Sequence, residues 1–75
     1  ILVAEDEAII AHDLCDTVEE AGYTVAGPFD DANSALESFR ENKPDVAILD
    51  VNLQGGTAYR LAEQMMEQDV PVIFH

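Results

Sequence analysis

The sequence predicts an α/β fold in which a parallel sheet carries helices on both faces. Two observations lead there. Four short apolar runs, Ile1-Leu2-Val3-Ala4, Tyr23-Thr24-Val25-Ala26, Val46-Ala47-Ile48-Leu49 and Val70-Pro71-Val72-Ile73-Phe74, recur along 75 residues. Each interval between them places apolar residues at helical spacing. Strand and helix in strict alternation imply right-handed crossovers, and a parallel sheet is the arrangement that satisfies them.

The first run is uninterrupted and ends in acids, as expected of a strand buried on both faces. From Ala8 to Ala21, the residues Ile10, Leu14, Val18 and Ala21 share one helical face, and Gly22 supplies the stop. Tyr23–Ala26 is β-prone, and Gly27-Pro28 is expected to end it. Asp30 or Asp31 can cap a second helix with Ala32, Ala35, Leu36 and Phe39 on its inner face, broken by Asn42-Lys43-Pro44. The Val46–Leu49 run reads as the best-defined buried strand and ends at Asp50. Gly55-Gly56 reads as a turn, and Thr57 as the cap of a third helix whose core residues are Ala58, Leu61, Ala62, Met65 and Met66. The fourth strand is expected over 70–74, leaving an apolar edge.

Composition narrows the function classes. The chain is 48% hydrophobic, enough for one small core and too much for a disordered tail. No apolar run approaches the length of a membrane span, and no signal-peptide pattern opens the chain. A single cysteine, Cys15, rules out an intrachain disulfide and fits a reducing, cytoplasmic setting. Sixteen acidic against three basic residues give a net charge of −13, a field that repels nucleic-acid phosphates and favours divalent cations or a basic partner.

Ligands of parallel α/β sheets bind beyond the carboxyl ends of the strands. There the first strand delivers Glu5 and Asp6, and the third delivers Asp50. If those strands are neighbours, their carboxylates converge and repel one another, which a proton or a cation relieves. Oxygen-only donors suit Mg²⁺ or Ca²⁺ and suit zinc poorly. Acids after strands also serve as loop residues and caps, so residue types alone lead only to an acidic metal site.

Ile1-Leu2-Val3-Ala4-Glu5-Asp6-Glu7, followed by Val46-Ala47-Ile48-Leu49-Asp50-Val51-Asn52-Leu53, resembles the two leading motifs of response-regulator receiver domains at their usual separation. Ala21-Gly22-Tyr23, Lys43-Pro44-Asp45 and Val70–Phe74 are also placed as that family places them. The resemblance implies a flavodoxin-like doubly wound sheet, of strand order 2-1-3-4-5 in the intact family, with about four strands and three helices here. It implies Asp50 as phosphoacceptor and Asp6 as direct Mg²⁺ ligand, with Glu5 assisting through a water and Asn52 offering its backbone carbonyl. A histidine kinase or phosphotransfer protein would donate the phosphoryl group in a two-component phosphorelay. The domain would be a switch that catalyses its own phosphorylation, not a turnover enzyme. Residues 1–75 would then be the first two-thirds of a receiver. The family's hydroxyl residue is expected just after His75, and its Lys, fifth strand and last two helices beyond that.

Two rival readings stand beside this one. A Mg²⁺-dependent phosphohydrolase with an aspartyl nucleophile would place a second Asp where Asn52 stands, and a degenerate receiver would act as an interaction module. Other signals are discounted. Asp50–Gly55 imitates an EF-hand opening, but Leu61 stands where a bidentate Glu is needed. His12 reads as a solvent-facing helical residue, Cys15 as a packing residue and Met65-Met66 as core; His75, at the end of the fourth strand, could approach the acidic cluster but reads more as a spectator. Gly55-Gly56 lacks the Lys of a phosphate-cradling loop.

Overall fold

The computed structural model describes residues 1–53 and 58–75. Its elements are β1 (Leu2–Ala4), α1 (Ala8–Glu20), β2 (Ala26–Phe29), α2 (Ala32–Glu41), β3 (Ala47–Leu49), α3 (Ala58–Glu67) and β4 (Val72–Phe74). All strand pairs are parallel, in the spatial order β2-β1-β3-β4. This is the doubly wound order expected, with β1 and β3 at the centre.

Central position explains the apolar continuity of β1. Leu2, Val3 and Ala4 are all fully buried, because both faces of the strand are covered. α2 and α3 pack against each other on one face, and α1 touches neither of them. Leu2, Ala4, Ala47 and Leu49 join α2 and α3 in the main core with Ala35, Phe39, Leu61 and Met65. The alternate residue Val3 points to the opposite face, where α1 lies against β1 and β2.

α1 is rotated by about one residue from the face expected. Ala11, Cys15 and Val18 are buried, Ile10 and Leu14 are half-buried, and Ala21 is exposed past the helix end. The small side chains of Ala11 and Cys15 let the helix approach the strands closely, which a stripe centred on Ile10 and Leu14 would prevent. Gly22, at φ 93°, ends the helix as expected, and its N–H donates to the Glu19 carbonyl at 2.9 Å.

The second strand lies further along the chain than expected, over Ala26–Phe29 instead of Tyr23–Ala26. Gly27-Pro28 does not end it; both residues belong to it. β2 is an edge strand paired only with β1, so the missing N–H of Pro28 is tolerated there. Leu2 pairs with Ala26 and Ala4 with Phe29, so β2 takes three steps where β1 takes two. Gly27 sits at that irregularity with φ 114°, and a Cβ there would fall 2.6 Å from the Val3 carbonyl oxygen. Only glycine fits.

In α2 the cap is Asp31, whose Oδ1 accepts from the Ser34 N–H at 2.7 Å. The core face of α2 is the one expected: Ala32, Ala35 and Phe39 are buried and Leu36 is half-buried. In α3, Ala58, Leu61, Ala62 and Met65 are buried, but Met66 is exposed. One residue further round the helix carries it off the stripe centred on Met65, which corrects its assignment to the core. Gly55-Gly56 and Thr57 lie outside the described residues. β4 is shorter than expected, and Val70 is buried just ahead of it. Ile73 and Phe74 are 55% and 41% exposed on this second edge.

Candidate metal centre at the carboxyl edge of the sheet

Register builds the site. Ala4 is the partner of Leu49 in the central β1–β3 pair, so the residues that follow them, Glu5 and Asp50, emerge side by side. The Asp50 N–H donates to the Ala4 carbonyl at 2.9 Å, and the Glu5 N–H to the Phe29 carbonyl at 2.8 Å. Both backbones are thereby fixed where the sheet ends. Glu5 is 3% exposed and Asp50 9%, while Asp6 is half-buried. One carboxylate oxygen from each of Glu5, Asp6 and Asp50 lies within 4.8 Å of the others. The structure brings together all three acids singled out in the sequence.

Asn52 joins them through its amide. Its N–H donates to Asp50 Oδ1 at 3.0 Å, in a turn where the Leu53 N–H also donates to the Asp50 carbonyl at 3.2 Å. That turn follows from the buried Leu53, which folds the chain back towards the core. It leaves Asp50 with Oδ1 engaged by an amide.

The electrostatics of the pair are unequal. Burial pushes the Glu5 carboxyl up to about 7, helped by a hydrogen bond to Asp50 and by the charges of Asp50, Asp6 and Glu7. Asp50 moves down, held ionised by the hydrogen bond from Glu5, by the Asn52 N–H and by nearby His75, against the opposing effect of burial. A proton held between the two resides on Glu5. Without that proton, two carboxylate oxygens within 4.8 Å of each other cost on the order of 3 kcal/mol even at an effective dielectric of about 20.

Glu5 Oε2 is fully buried and has no hydrogen-bond partner among the described residues. An orphaned buried carboxylate oxygen is costly unless a proton or a cation answers it. The donor set is all oxygen, so the residues fit a hard divalent cation such as Mg²⁺. A cavity of about 390 Å³ opens over the acids, and Glu7, Ile10, Asn52 and His75 complete its lining.

A second cavity of about 510 Å³ adjoins the first between α1 and β2, lined by Ala11, His12, Cys15, Pro28 and Asp30 beside Glu5 and Asp6. Cys15 is buried, as expected of a packing residue, and burial with nearby Glu19 and Asp16 pushes its thiol up. His12 is exposed on the helix and pairs with Asp16 at 3.1 Å. His75, read from the sequence as a spectator, lines the acidic cavity. Its position past the end of a strand gave the only signal, and a single strand end carries little information.

Comparison with known proteins fixes the family. The model of the response regulator receiver domain matches residues 1–75. This chain belongs to the response regulator receiver domains. The receiver is 42% identical over 53 residues to the transcriptional regulatory protein PdtaR of Mycobacterium tuberculosis, covering 71% of this chain and 26% of that one. It is 35% identical over 77 residues to the phosphate regulon transcriptional regulatory protein PhoB of Escherichia coli, covering 97% and 33%. The signal receiver domain of a modulated diguanylate cyclase from Desulfovibrio desulfuricans superposes with a TM-score of 0.88 at 30% identity, over 99% of this chain and 61% of that one. The receiver chain thus spans between 26% and 61% of the length of these proteins. Among its described residues no helix is long and apolar enough to cross a membrane.

Proposed function

We propose that this receiver accepts a phosphoryl group on Asp50 from a histidine kinase or a histidine phosphotransfer protein, in a Mg²⁺-dependent step of a two-component phosphorelay. The observation that carries this reading is the convergence of Glu5, Asp6 and Asp50 at the in-register ends of the two central strands. Asp50 is the nucleophile because its charge is maintained while Glu5 takes the proton. With Oδ1 held by the Asn52 N–H, the attack falls to Oδ2. It bonds to phosphorus as the bond from phosphorus to the donor nitrogen breaks, and the product is an acyl phosphate.

Asp6, Asp50 and the Asn52 carbonyl would hold Mg²⁺ directly, and Glu5 would hold it through a water. The ion supplies neutralisation of charge on the transferring phosphoryl group. The protein's own part is positioning: a nucleophile fixed by backbone hydrogen bonds in a cleft walled by acids. Such a domain is a switch that phosphorylates itself once per cycle, not an enzyme with turnover. Its net charge of −13 keeps nucleic acid away from this segment and suits a basic kinase surface. A single buried free thiol fits the cytoplasm.

Intact-protein mass after incubation with phosphoramidate, with and without Mg²⁺, tests the reading. A Mg²⁺-dependent phosphoryl adduct is expected in the native chain and none in Asp50→Asn. An adduct that persists in Asp50→Asn would assign the phosphoacceptor elsewhere.

A further inference from the structure

His75 occupies a defined place beside Asp50. Its N–H donates to the Leu49 carbonyl at 2.9 Å, and its carbonyl accepts from the Val51 N–H at 3.4 Å. Bonds to the residues immediately before and after Asp50 are the parallel-ladder signature of a residue registered directly opposite it. The preceding pair, Leu49 and Phe74, faces α3: Leu49 lies in the main core and the Phe74 ring meets Tyr59 at 5.3 Å. By strand alternation, Asp50 and His75 both turn the other way, one strand spacing of about 4.8 Å apart. Both line the acidic cavity.

Strand order settles what His75 can touch. β3 stands between β1 and β4, so Glu5 and Asp6 flank Asp50 on one side and His75 flanks it on the other. The imidazole is accordingly not part of the carboxylate cluster. It is the only basic side chain among the described residues lining the cavity, and its ring N–H can donate in either protonation state. Ionised carboxylates cannot donate.

We infer that His75 is a phosphoryl-contacting residue, its ring N–H donating to an oxygen of the group carried by Asp50 from the flank opposite the metal ligands. The inference rests on the reading of Asp50 as phosphoacceptor. It assigns an anion donor to a cavity whose other titratable lining residues, Glu5, Asp6, Glu7 and Asp50, are all acids.

The test is ¹⁹F NMR of the full chain titrated with beryllofluoride, a phosphoryl mimic, in the presence of Mg²⁺. Native protein, His75→Ala, His75→Gln and Asp50→Asn are compared. Loss of one hydrogen bond to a charged group predicts binding weakened about ten- to a hundredfold in His75→Ala, with one bound fluorine resonance displaced. His75→Gln retains an N–H donor and is expected to recover most of the affinity, which a merely structural role would not produce. Equal affinity and superimposable fluorine spectra for native protein and His75→Ala, with binding still abolished in Asp50→Asn, would overturn the assignment of His75 and leave Asp50 standing. Absence of bound resonances in the native chain would overturn both.

Discussion

Replacing Glu5 by Gln isolates the cost of crowding carboxylates at the end of the central strands. Glu5 is almost completely buried, and its carboxyl lies near 7 in the fold against 4.5 for a free side chain. A carboxyl raised on folding binds more protons in the native than in the unfolded state between those values. Stability is therefore fully present below pH 4.5 and is lost as pH rises through 7. The full loss is about 3 kcal/mol, of which about 2.5 kcal/mol falls between pH 5 and pH 8. Against a total of about 4–11 kcal/mol for a domain of this length, that is a large share. Glu5→Gln keeps the shape, offers an N–H to Asp50 and cannot ionise, so its stability should be nearly flat over the same window. The assay is urea unfolding followed by circular dichroism at pH 5 and pH 8 in chelator. The stability of the variant relative to the native chain should rise by about 2.5 kcal/mol from the lower pH to the higher. A difference independent of pH would refute the reasoning, because it would mean that Glu5 ionises in the fold as it does in water.

Three further outcomes are expected. Mg²⁺ should raise the melting temperature at pH 8 in proportion to the logarithm of its concentration above Kd, and chelation should reverse the gain; an unchanged melting temperature at 10 mM, taken as about the upper end of a useful range, would count against the metal centre. Gly27→Ala should destabilise by about 2–3 kcal/mol, since the new Cβ meets the Val3 carbonyl at 2.6 Å on a backbone with φ 114°, and the urea midpoint reads it. Asp31→Ala should cost about 1 kcal/mol through loss of the cap on the Ser34 N–H, without altering the metal response.

The parts of the fold legible in the sequence are those governed by burial on two faces. Val46–Leu49 and Ile1–Ala4 announce central strands because nothing polar survives between two helical layers, and the acids that follow them mark the first contact with solvent. Strand neighbourhood was not legible from residue types, since it depends on crossovers; the family motifs supplied it. The second strand was displaced because Gly and Pro signal a turn in isolation, whereas an edge strand with an extra residue accommodates both. The rotation of α1 escaped for a similar reason: periodicity finds the large apolar residues, while close helix–sheet approach selects the small ones, Ala11 and Cys15. Glu5, Asp6 and Asp50 were found because their charge is conspicuous. The approach of His75 to the cluster is readable from its strand end, but its place directly opposite Asp50 exists only once β3 and β4 are in register.

That dependence on register sets the evolutionary tolerance of the site. In a sheet whose strands alternate faces, slippage of β1 against β3 by a single residue would turn Glu5 away from Asp50 and break the cluster of three carboxylates. Insertions before the strands or at the far end of the helices leave the carboxyl edge untouched, but a one-residue insertion within Leu2–Ala4 or Ala47–Leu49 dismantles it. The site therefore requires the six residues of β1 and β3 to keep their count, and places no such demand on the amino-terminal rim of the sheet.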